Sequence, residues 1–264
     1  MSTISIKCLK SEQIQSGACH GQFVINSLKT GQGITIGNQL RRVLLGDLGG
    51  IAISAVRISG ITHEFSTIPG VREDILEILL NLKGIVLKSK TKNIQFGRLK
   101  VQGPIVVTAD LIQLPSDLKI VNPNHYIATI STSNIVEIEF KFEYGTGYRL
   151  ANQSLSKNES KNEENYLQLD TIFMPVQKVS FKVKHVFETL ENTSESERLI
   201  LNIWTNGSIL PEEALKSAIQ IIINLFNSLL NNKAKDQNEK AKNESPSLSV
   251  EPYTNIAIEE LQLS

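Results

Sequence analysis

Cysteine is scarce in this sequence. Of 264 residues only two are cysteines, Cys8 and Cys19, and their spacing matches no CxxC or other metal-binding pattern. A chain of this length with so few cysteines is not built around disulfides, because disulfide-built domains are small and rich in cysteine. We therefore expect a protein of a reducing compartment, without a metal site held by cysteine.

An excess of charge of one sign is also missing. Lysine plus arginine and aspartate plus glutamate each number 27, which gives a formal net charge of +0. Without a global basic field, the chain has no general attraction for the phosphates of nucleic acid. Any contact with DNA must therefore be local or indirect.

Long apolar runs are absent as well. No run reaches the roughly 18 apolar residues that a membrane-spanning helix needs. Residues 1–11 have neither the apolar core of a signal peptide nor the Arg-rich amphipathic character of a transit peptide. We expect no membrane partner, and a protein that works in the compartment where it is made.

Known catalytic motifs are also missing from the sequence. The four histidines are scattered, and no HExxH, GxSxG or phosphate-loop pattern occurs. The one His–carboxylate neighbour pair, His63–Glu64, has no third partner in a recognisable motif. The residues alone therefore predict a noncatalytic interaction protein with no catalytic residue, metal, cofactor or small-molecule substrate, and they give no support to a metabolic enzyme.

What the sequence does contain begins with an amphipathic segment at 33–48. At 100° per residue, Ile36, Leu40, Val43, Leu44 and Leu48 fall on one face of a helix. Arg41, Arg42 and Leu45 fall outside that face, so two guanidinium groups surround an apolar side chain. Arginine beside an apolar residue is typical of protein interfaces, but the pattern alone also fits an ordinary surface helix. We expect Thr35 to cap the helix and Gly49–Gly50 to follow its end.

A second helix and several strands complete the first two thirds of the chain. Residues 75–83 are predicted to form a helix that is apolar around most of its circumference, as in a helix sandwiched between other elements. Residues 136–144 alternate strictly between apolar and charged side chains, which is typical of a half-exposed antiparallel strand. Gly145–Gly147 is expected to close a hairpin. With a chain length that suggests one or two domains, the pattern predicts an α+β fold.

A long helix is predicted after Pro211, which stands near its first position. Its apolar residues form two neighbouring stripes: Leu215, Ala218, Ile222, Leu225 and Leu229, and beside them Ile219, Ile223, Phe226 and Leu230. One stripe can face the chain's own sheet, and the other favours a second copy of the chain. A broad contact within one chain remains the alternative. Residues 233–255 are polar and of mixed charge, which predicts a flexible linker.

Specific motifs identify a family that the periodicities do not. The segments GNQLRRVLL (37–45), HEFSTIPGVREDI (63–75), NLKG (81–84), GTGY (145–148) and WTNGSILPEEA (204–214), together with 170–176, resemble the DNA-directed RNA polymerase alpha subunit of bacteria and plastids. The resemblance covers nearly all of residues 1–230 in order. It also extends to 256–264, which resemble the beginning of the family's carboxy-terminal DNA-binding domain.

The resemblance implies a domain organisation. A dimerisation and assembly subdomain, an antiparallel sheet with two packed helices, is split between residues 1–51 and 178–232. A strand-rich mixed subdomain is inserted at 52–177. Because only the start of the DNA-binding domain is in this sequence, promoter DNA is expected as an indirect partner only.

The resemblance also implies partners. The family forms a homodimer that assembles the beta and beta-prime subunits, which carry out nucleotidyl transfer, so this chain is expected to be a noncatalytic subunit without a cofactor. Arg41, Arg42 and Leu45 are the implied beta contacts, Lys83 the beta-prime contact, and Leu215, Ala218, Ile222, Leu225, Phe226 and Leu229 the dimerisation residues. The segment 183–188 departs from the family's usual wording, which leaves contacts in 183–198 undefined.

The sequence also suggests where the protein works and leaves one alternative function open. Composition and the sequence of 62–74 resemble plastid or cyanobacterial versions. We favour a plastid subunit and expect the chloroplast stroma, with a bacterial cytoplasm as the alternative. A free-standing dimeric scaffold that lacks large partners is the alternative function.

Overall fold

The computed structural model describes residues 4–14, 17–151, 166–187 and 195–242. Within these ranges, helices occur beside antiparallel sheets, so the predicted α+β class is confirmed. Residues up to Ile222 form one compact unit, and a second unit begins at Ile223.

The secondary-structure elements follow one another in an order dominated by strands. In chain order the described strands are β1 (Ser5–Gln13), β2 (Cys19–Lys29), β3 (Gly49–Ile58), β4 (Leu87–Ser89), β5 (Gln95–Gln102), β6 (Ile105–Thr108), β7 (Leu118–Ile120), β8 (Tyr126–Ile130), β9 (Ile135–Thr146), β10 (Tyr148–Arg149), β11 (Leu167–Gln168), β12 (Thr171–Ile172), β13 (Val176–Phe187) and β14 (Glu195–Thr205). The described helices are α1 (Gln32–Gly46), α2 (Ile75–Lys83) and α3 (Pro211–Lys242), with a 3₁₀ turn at Ala109–Leu111.

The first sheet joins the two ends of the compact unit. Its antiparallel strands lie in the order β1-β2-β14-β13, so β2 and β14 are neighbours although most of the chain separates them in sequence. Inward-facing residues of this sheet pack with α1 and the start of α3. The core that results contains Phe23, Ile25, Leu28, Leu40, Val43, Leu44, Leu199, Leu201, Ile203, Ala214, Leu215 and Ala218.

A second core is built from the middle of the chain. Its main sheet has the antiparallel order β11-β3-β9-β5, and α2 contributes one face to the same core. The largest fully buried side chains there are Phe140 and Phe142 on β9, together with Ile75, Ile78, Leu82, Leu99, Ile127 and Ile130. The molecule thus has one core made from both ends of the sequence and another made from the segment between them.

The alternation predicted at 136–144 is confirmed only in part. Val136, Ile138, Phe140 and Phe142 are buried as predicted, but Lys141 on the opposite face is buried too and Tyr144 is exposed. The strand is paired on both sides, with β3 and with β5, which leaves its polar face less open to water than predicted. The hairpin expected at Gly145–Gly147 is wrong. After β9 the chain continues into β10, which pairs with β12 instead of folding back on β9.

Helix α1 has different ends from those predicted. It begins at Gln32, one turn earlier than a Thr35 cap requires, after Gly31 in the left-handed conformation (φ 88°). It ends at Gly46. Gly49 and Gly50, which were predicted to follow its end directly, already belong to β3. At Gly50 the strand passes so close to Phe173 that a Cβ atom would lie 2.5 Å from the Phe173 carbonyl oxygen. These glycines therefore permit a close strand contact and do not terminate the helix.

Helix α2 has the predicted bounds but not the predicted burial. Asp74 caps it by accepting a hydrogen bond from the Glu77 backbone N–H at 2.8 Å. Leu76 and Leu80, however, are 43% and 62% exposed. The expectation of a sandwiched helix was wrong because only one face of α2 meets the second core.

Helix α3 continues beyond its predicted end. It extends to Lys242, so residues 233–242 of the predicted linker are helical. Alanine, lysine, glutamate and glutamine are good helix formers, and a segment rich in them can extend a helix without an apolar stripe. The remainder of the predicted linker, 243–255, and the predicted domain start at 256–264 lie outside the described residues.

Candidate subunit-interaction surface

The candidate site on α1 is a helix face that the first core leaves uncovered. Arg41 and Arg42 are exposed there, while Leu45 is half-buried and also touches the first core. Within the described ranges, the arginine side chains that form ion pairs are those of Arg57, Arg98 and Arg149. The two guanidinium groups on α1 therefore retain their hydrogen-bonding capacity beside an apolar side chain.

Two glycines bring α1 close to the sheet. A Cβ atom on Gly33 would lie 2.9 Å from Val183 Cγ1, and one on Gly37 would lie 2.6 Å from the Phe181 ring. Since real Cβ contacts this short essentially do not occur, only glycine permits the observed separation between α1 and β13. This close approach determines how far the opposite face of α1 projects from the sheet.

A buried carboxylate holds the beginning of α1. Glu197 on β14 accepts hydrogen bonds from the backbone N–H groups of Gly31 at 2.9 Å and Gly33 at 2.8 Å. These donors belong to the helix N-terminus, where unpaired N–H groups and the helix dipole favour a negative charge. The helix lacks a side-chain cap of its own. A residue from a distant strand therefore performs the capping role.

The same contacts explain the ionisation of Glu197. The N–H donors of Gly31 and Gly33 lower the pKa of this carboxyl below its ordinary value, in spite of the opposing effect of burial, and His185 adds a small attraction at 4.0 Å. The carboxylate is consequently charged at neutral pH while its side chain is almost wholly buried.

Sequence reasoning missed Glu197, although a signal was present. In β14, Glu197 stands two residues before Leu199, which is followed at the same spacing by Leu201 and Ile203. Period two places all four on one face, so the pattern puts an acidic residue on the buried side of a strand. Such a carboxylate requires donors, but those donors belong to a glycine-rich segment far away in the sequence.

Lys83, the predicted second contact, lies at the end of α2 and is partly engaged. Its Nζ atom is 3.9 Å from Asp170 Oδ2 and 5.7 Å from the centre of the Tyr148 ring. The pKa of Asp170 is lowered, first by the Ala151 N–H donor and then by Tyr148 and Lys83. The structure thus groups Lys83 with two residues from the later motifs, 145–148 and 170–176.

Glu73 anchors the segment before α2. It accepts hydrogen bonds from the Tyr126 hydroxyl and from the Thr129 backbone N–H on β8, the latter at 2.7 Å. Burial raises the pKa of Glu73, but these two donors and the nearby charge of Arg72 outweigh that effect and lower it. Of these two neighbouring acids, Asp74 caps α2, whereas Glu73 fastens the segment to β8.

The predicted dimerisation residues fall into two groups along α3. Leu215 and Ala218 are buried in the first core of the same chain, and Ile222 is half-buried against it. The other predicted residues, Leu225, Phe226 and Leu229, are exposed, and so are the neighbouring Ile223 and Leu230. An uncovered apolar surface on α3 therefore begins after Ile222.

Other kinds of site find little support in the described part of the chain. No group of three or more His, Cys, Asp or Glu side chains there is arranged to hold a metal ion. None of the helices described is long and apolar enough to span a membrane.

Comparison with known proteins gives the class first. Residues 56–174 match the family described as the RNA polymerase Rpb3/RpoA insert domain. This match covers less than half of the chain and points to an RNA polymerase subunit, the class to which its relatives also belong.

Relatives then specify the family. The DNA-directed RNA polymerase subunit alpha of Phaeodactylum tricornutum is 71% identical over 264 residues, which are 100% of this chain and 83% of that protein. The Pyropia yezoensis subunit is 48% identical over 264 residues, 100% of this chain and 81% of its own length. The subunit of a Synechococcus strain is 46% identical over 258 residues, 98% and 75% respectively. The chain belongs to the DNA-directed RNA polymerase alpha subunit family.

We predict that Glu197→Gln destabilises the fold in a pH-dependent manner. Because the folded-state pKa is lowered, the contribution of Glu197 is fully present above its unfolded-state pKa of about 4.3 and is lost as the pH falls through the folded value. At neutral pH the variant should melt lower by on the order of 3 °C, and the difference should disappear in acid.

Circular dichroism melts over a pH series provide the measurement. Glu64→Gln, which alters an exposed loop carboxylate, is the matched control and should melt like the parent. A melting difference for Glu197→Gln that persists unchanged in acid would contradict the capping role.

Proposed function

We propose that this chain forms a homodimer and that the dimer is the platform on which the beta and beta-prime subunits of RNA polymerase assemble. The observation that carries the proposal is the exposed face of α1, where Arg41 and Arg42 lie beside Leu45. The relatives named above are polymerase alpha subunits, which supports the choice of large polymerase subunits as partners.

The chemistry of the α1 face suits capture of a protein. A guanidinium group can bind a carboxylate through two parallel hydrogen bonds or stack on a ring. Leu45 supplies apolar contact that excludes water from those bonds, which is where interface arginines contribute most. We assign this face to the beta subunit, with Arg42 as the main contact.

The beta-prime subunit is assigned to the neighbourhood of Lys83. Asp170 and Tyr148 lie against Lys83, so its ammonium group is held in place while its side chain remains 30% exposed. A held cation at a helix C-terminus offers a preorganised contact for an acidic group of a partner.

Dimerisation is assigned to the exposed part of α3. Leu225, Phe226 and Leu229 are each at least half exposed, and Ile223 and Leu230 lie among them. Fully burying a large apolar side chain stabilises by about 1.5–3 kcal/mol, and a second copy of the helix offers a self-complementary apolar surface. The same residues left in water would favour aggregation.

The proposed domain organisation agrees with two independent observations. Apart from Val176, the buried residues of the first core lie within the proposed assembly subdomain, 1–51 and 178–232, and those of the second core lie within the proposed inserted subdomain, 52–177. The residues that match the insert-domain family, 56–174, fall inside the proposed insertion.

We further infer that the chain is a noncatalytic subunit of the nucleotidyltransferase and works in the chloroplast stroma. The algal relatives support a plastid polymerase, and the cyanobacterial relative supports the bacterial cytoplasm as the alternative. A free-standing dimeric scaffold is the competing function. It predicts the same dimer but no capture of the large subunits.

Phe226→Asp tests the dimer. A carboxylate in the centre of the proposed apolar contact should weaken self-association at least about tenfold, since truncation or charge at an interface centre is costly. Sedimentation equilibrium of the full chain measures the change. Asn227→Asp, one position further along α3, is the control and should remain dimeric, whereas equal dimerisation by both variants would contradict the assignment.

Arg42→Ala tests the partner. The variant should remain a dimer but bind the purified beta subunit about tenfold or more weakly, with Arg42→Lys intermediate because it retains charge and loses the planar fork. Reconstitution with both large subunits, followed by quantitative capture, provides the readout.

Lys119→Ala, at another exposed cation, is the control. Unchanged beta capture by Arg42→Ala would refute the assignment, and no capture by the parent chain would favour the scaffold.

A further inference from the structure

The outer face of the first sheet, which points away from α1, has a composition that the proposed function does not explain. Opposite Trp204 on β14 stand His20 on β2 and Lys178 on β13. The next row contains Gln22 and Asn202, joined by a 3.1 Å hydrogen bond. We define the outer sheet face by these rows and by the outward-pointing residues that continue them along the strands.

Positive charge is concentrated on this face. Lys178, Lys182 and Lys184 point outward from β13, and Lys184 stands directly opposite Arg198 on β14. All four side chains are exposed. Like charges in cross-strand register disfavour the sheet, and none of the four forms an ion pair with another described residue. The chain has no net charge, so this concentration is local.

Negative charge on the same face is confined, among the described residues, to β1. There Glu12 stands opposite His20 and forms an ion pair with Lys10 at 2.7 Å. Its charge is therefore already compensated on its own strand. A partner placed over β13 and β14 would meet four cations without a competing carboxylate from the described part of this face.

The surroundings of the Trp204 side chain distinguish between two classes of anionic partner, single-stranded nucleic acid and an acidic polypeptide. One face of the Trp204 ring is stacked on His20, with ring centres 4.6 Å apart and planes at 16°. Lys178 Nζ lies 4.9 Å from the centre of the same ring. Single-stranded nucleic acid is bound by stacking bases on free aromatic faces. Here neighbours occupy the ring of Trp204, so among its described residues the face offers cations, amides and the aliphatic pair Ile200 and Val24, but no free aromatic ring on which a base could stack.

The geometry points to a docking site for an acidic polypeptide segment on the outer sheet face, with Lys182, Lys184 and Arg198 as its carboxylate-binding residues. Lys182 and Lys184 lie two residues apart on one strand, at about 6.6–6.8 Å. An extended segment with acidic side chains at alternate positions has the same spacing. The site is separate from the α1 face and from Lys83, and it requires neither of them.

Trp204 provides a direct readout because it is the single tryptophan of the chain. The full-length protein is titrated with a synthetic peptide in which glutamate alternates with valine, and its tryptophan fluorescence is followed. A single-stranded oligothymidylate of equal net charge is titrated in parallel. We expect the peptide to change the Trp204 emission and to bind more tightly than the oligothymidylate.

Charge reversal locates the site. The double variant Lys182→Glu, Lys184→Glu should weaken peptide binding at least about tenfold, and the neutral double variant Lys182→Gln, Lys184→Gln should weaken it less. The control is Lys88→Glu, Lys119→Glu, which reverses another exposed pair of lysines in cross-strand register, between β4 and β7. It should bind the peptide like the parent.

Two results would overturn the proposal. Peptide affinity that is equal in the parent and in both Lys182, Lys184 double variants would exclude these lysines from the site. Tighter binding of the oligothymidylate, with a change in Trp204 emission, would identify a nucleic-acid surface instead. Neither result would alter the beta-capture assay of Arg42, so failure here is distinguishable from failure of the proposed function.

Discussion

The contact between Glu197 and the start of α1 is the interaction on which the candidate site depends. A carboxylate on β14 occupies the positive end of the helix, and Gly33 places that end near enough to receive it. A Cβ atom at Gly33 would lie 2.8 Å from Glu197 Oε2, so the cap and the close packing are one arrangement. Together they set both the position and the rotation of α1 on the sheet.

This arrangement separates the surfaces of the molecule. Because the inward face of the sheet is occupied by α1, the arginines of α1 project to one side and the lysines of β13 to the other. The apolar surface of α3 begins where the first core ends. Distinct chemical surfaces on rigid elements allow several partners to bind at once, which is what the proposed assembly role requires.

The sequence pattern predicted those helices and strands whose positions depend on residues close together in the chain. The bounds of α2 were predicted, and the structure adds Asp74 as its N-terminal cap; the position of β9 follows from its alternation. The exposed position of Arg41 and Arg42 was predicted from helical period alone. The cap of α1 could not be predicted in this way, because its acceptor and donors are 166 residues apart for Gly31. Nor could the role of Gly37, since its reason is the Phe181 ring on a strand near the other end of the chain.

If packing beneath α1 positions the arginines above it, a change in that packing alters the affinity for the beta subunit, and Gly37→Ala makes such a change. The added methyl group must displace α1 from Phe181 while leaving every residue of the exposed face unchanged. Gly46→Ala, where a Cβ atom would meet nothing within 4 Å, is the matched control on the same helix. We expect Gly37→Ala to dimerise normally but to capture beta several-fold more weakly than Gly46→Ala. Equal beta affinity of the two dimers would contradict this role of the packing beneath α1.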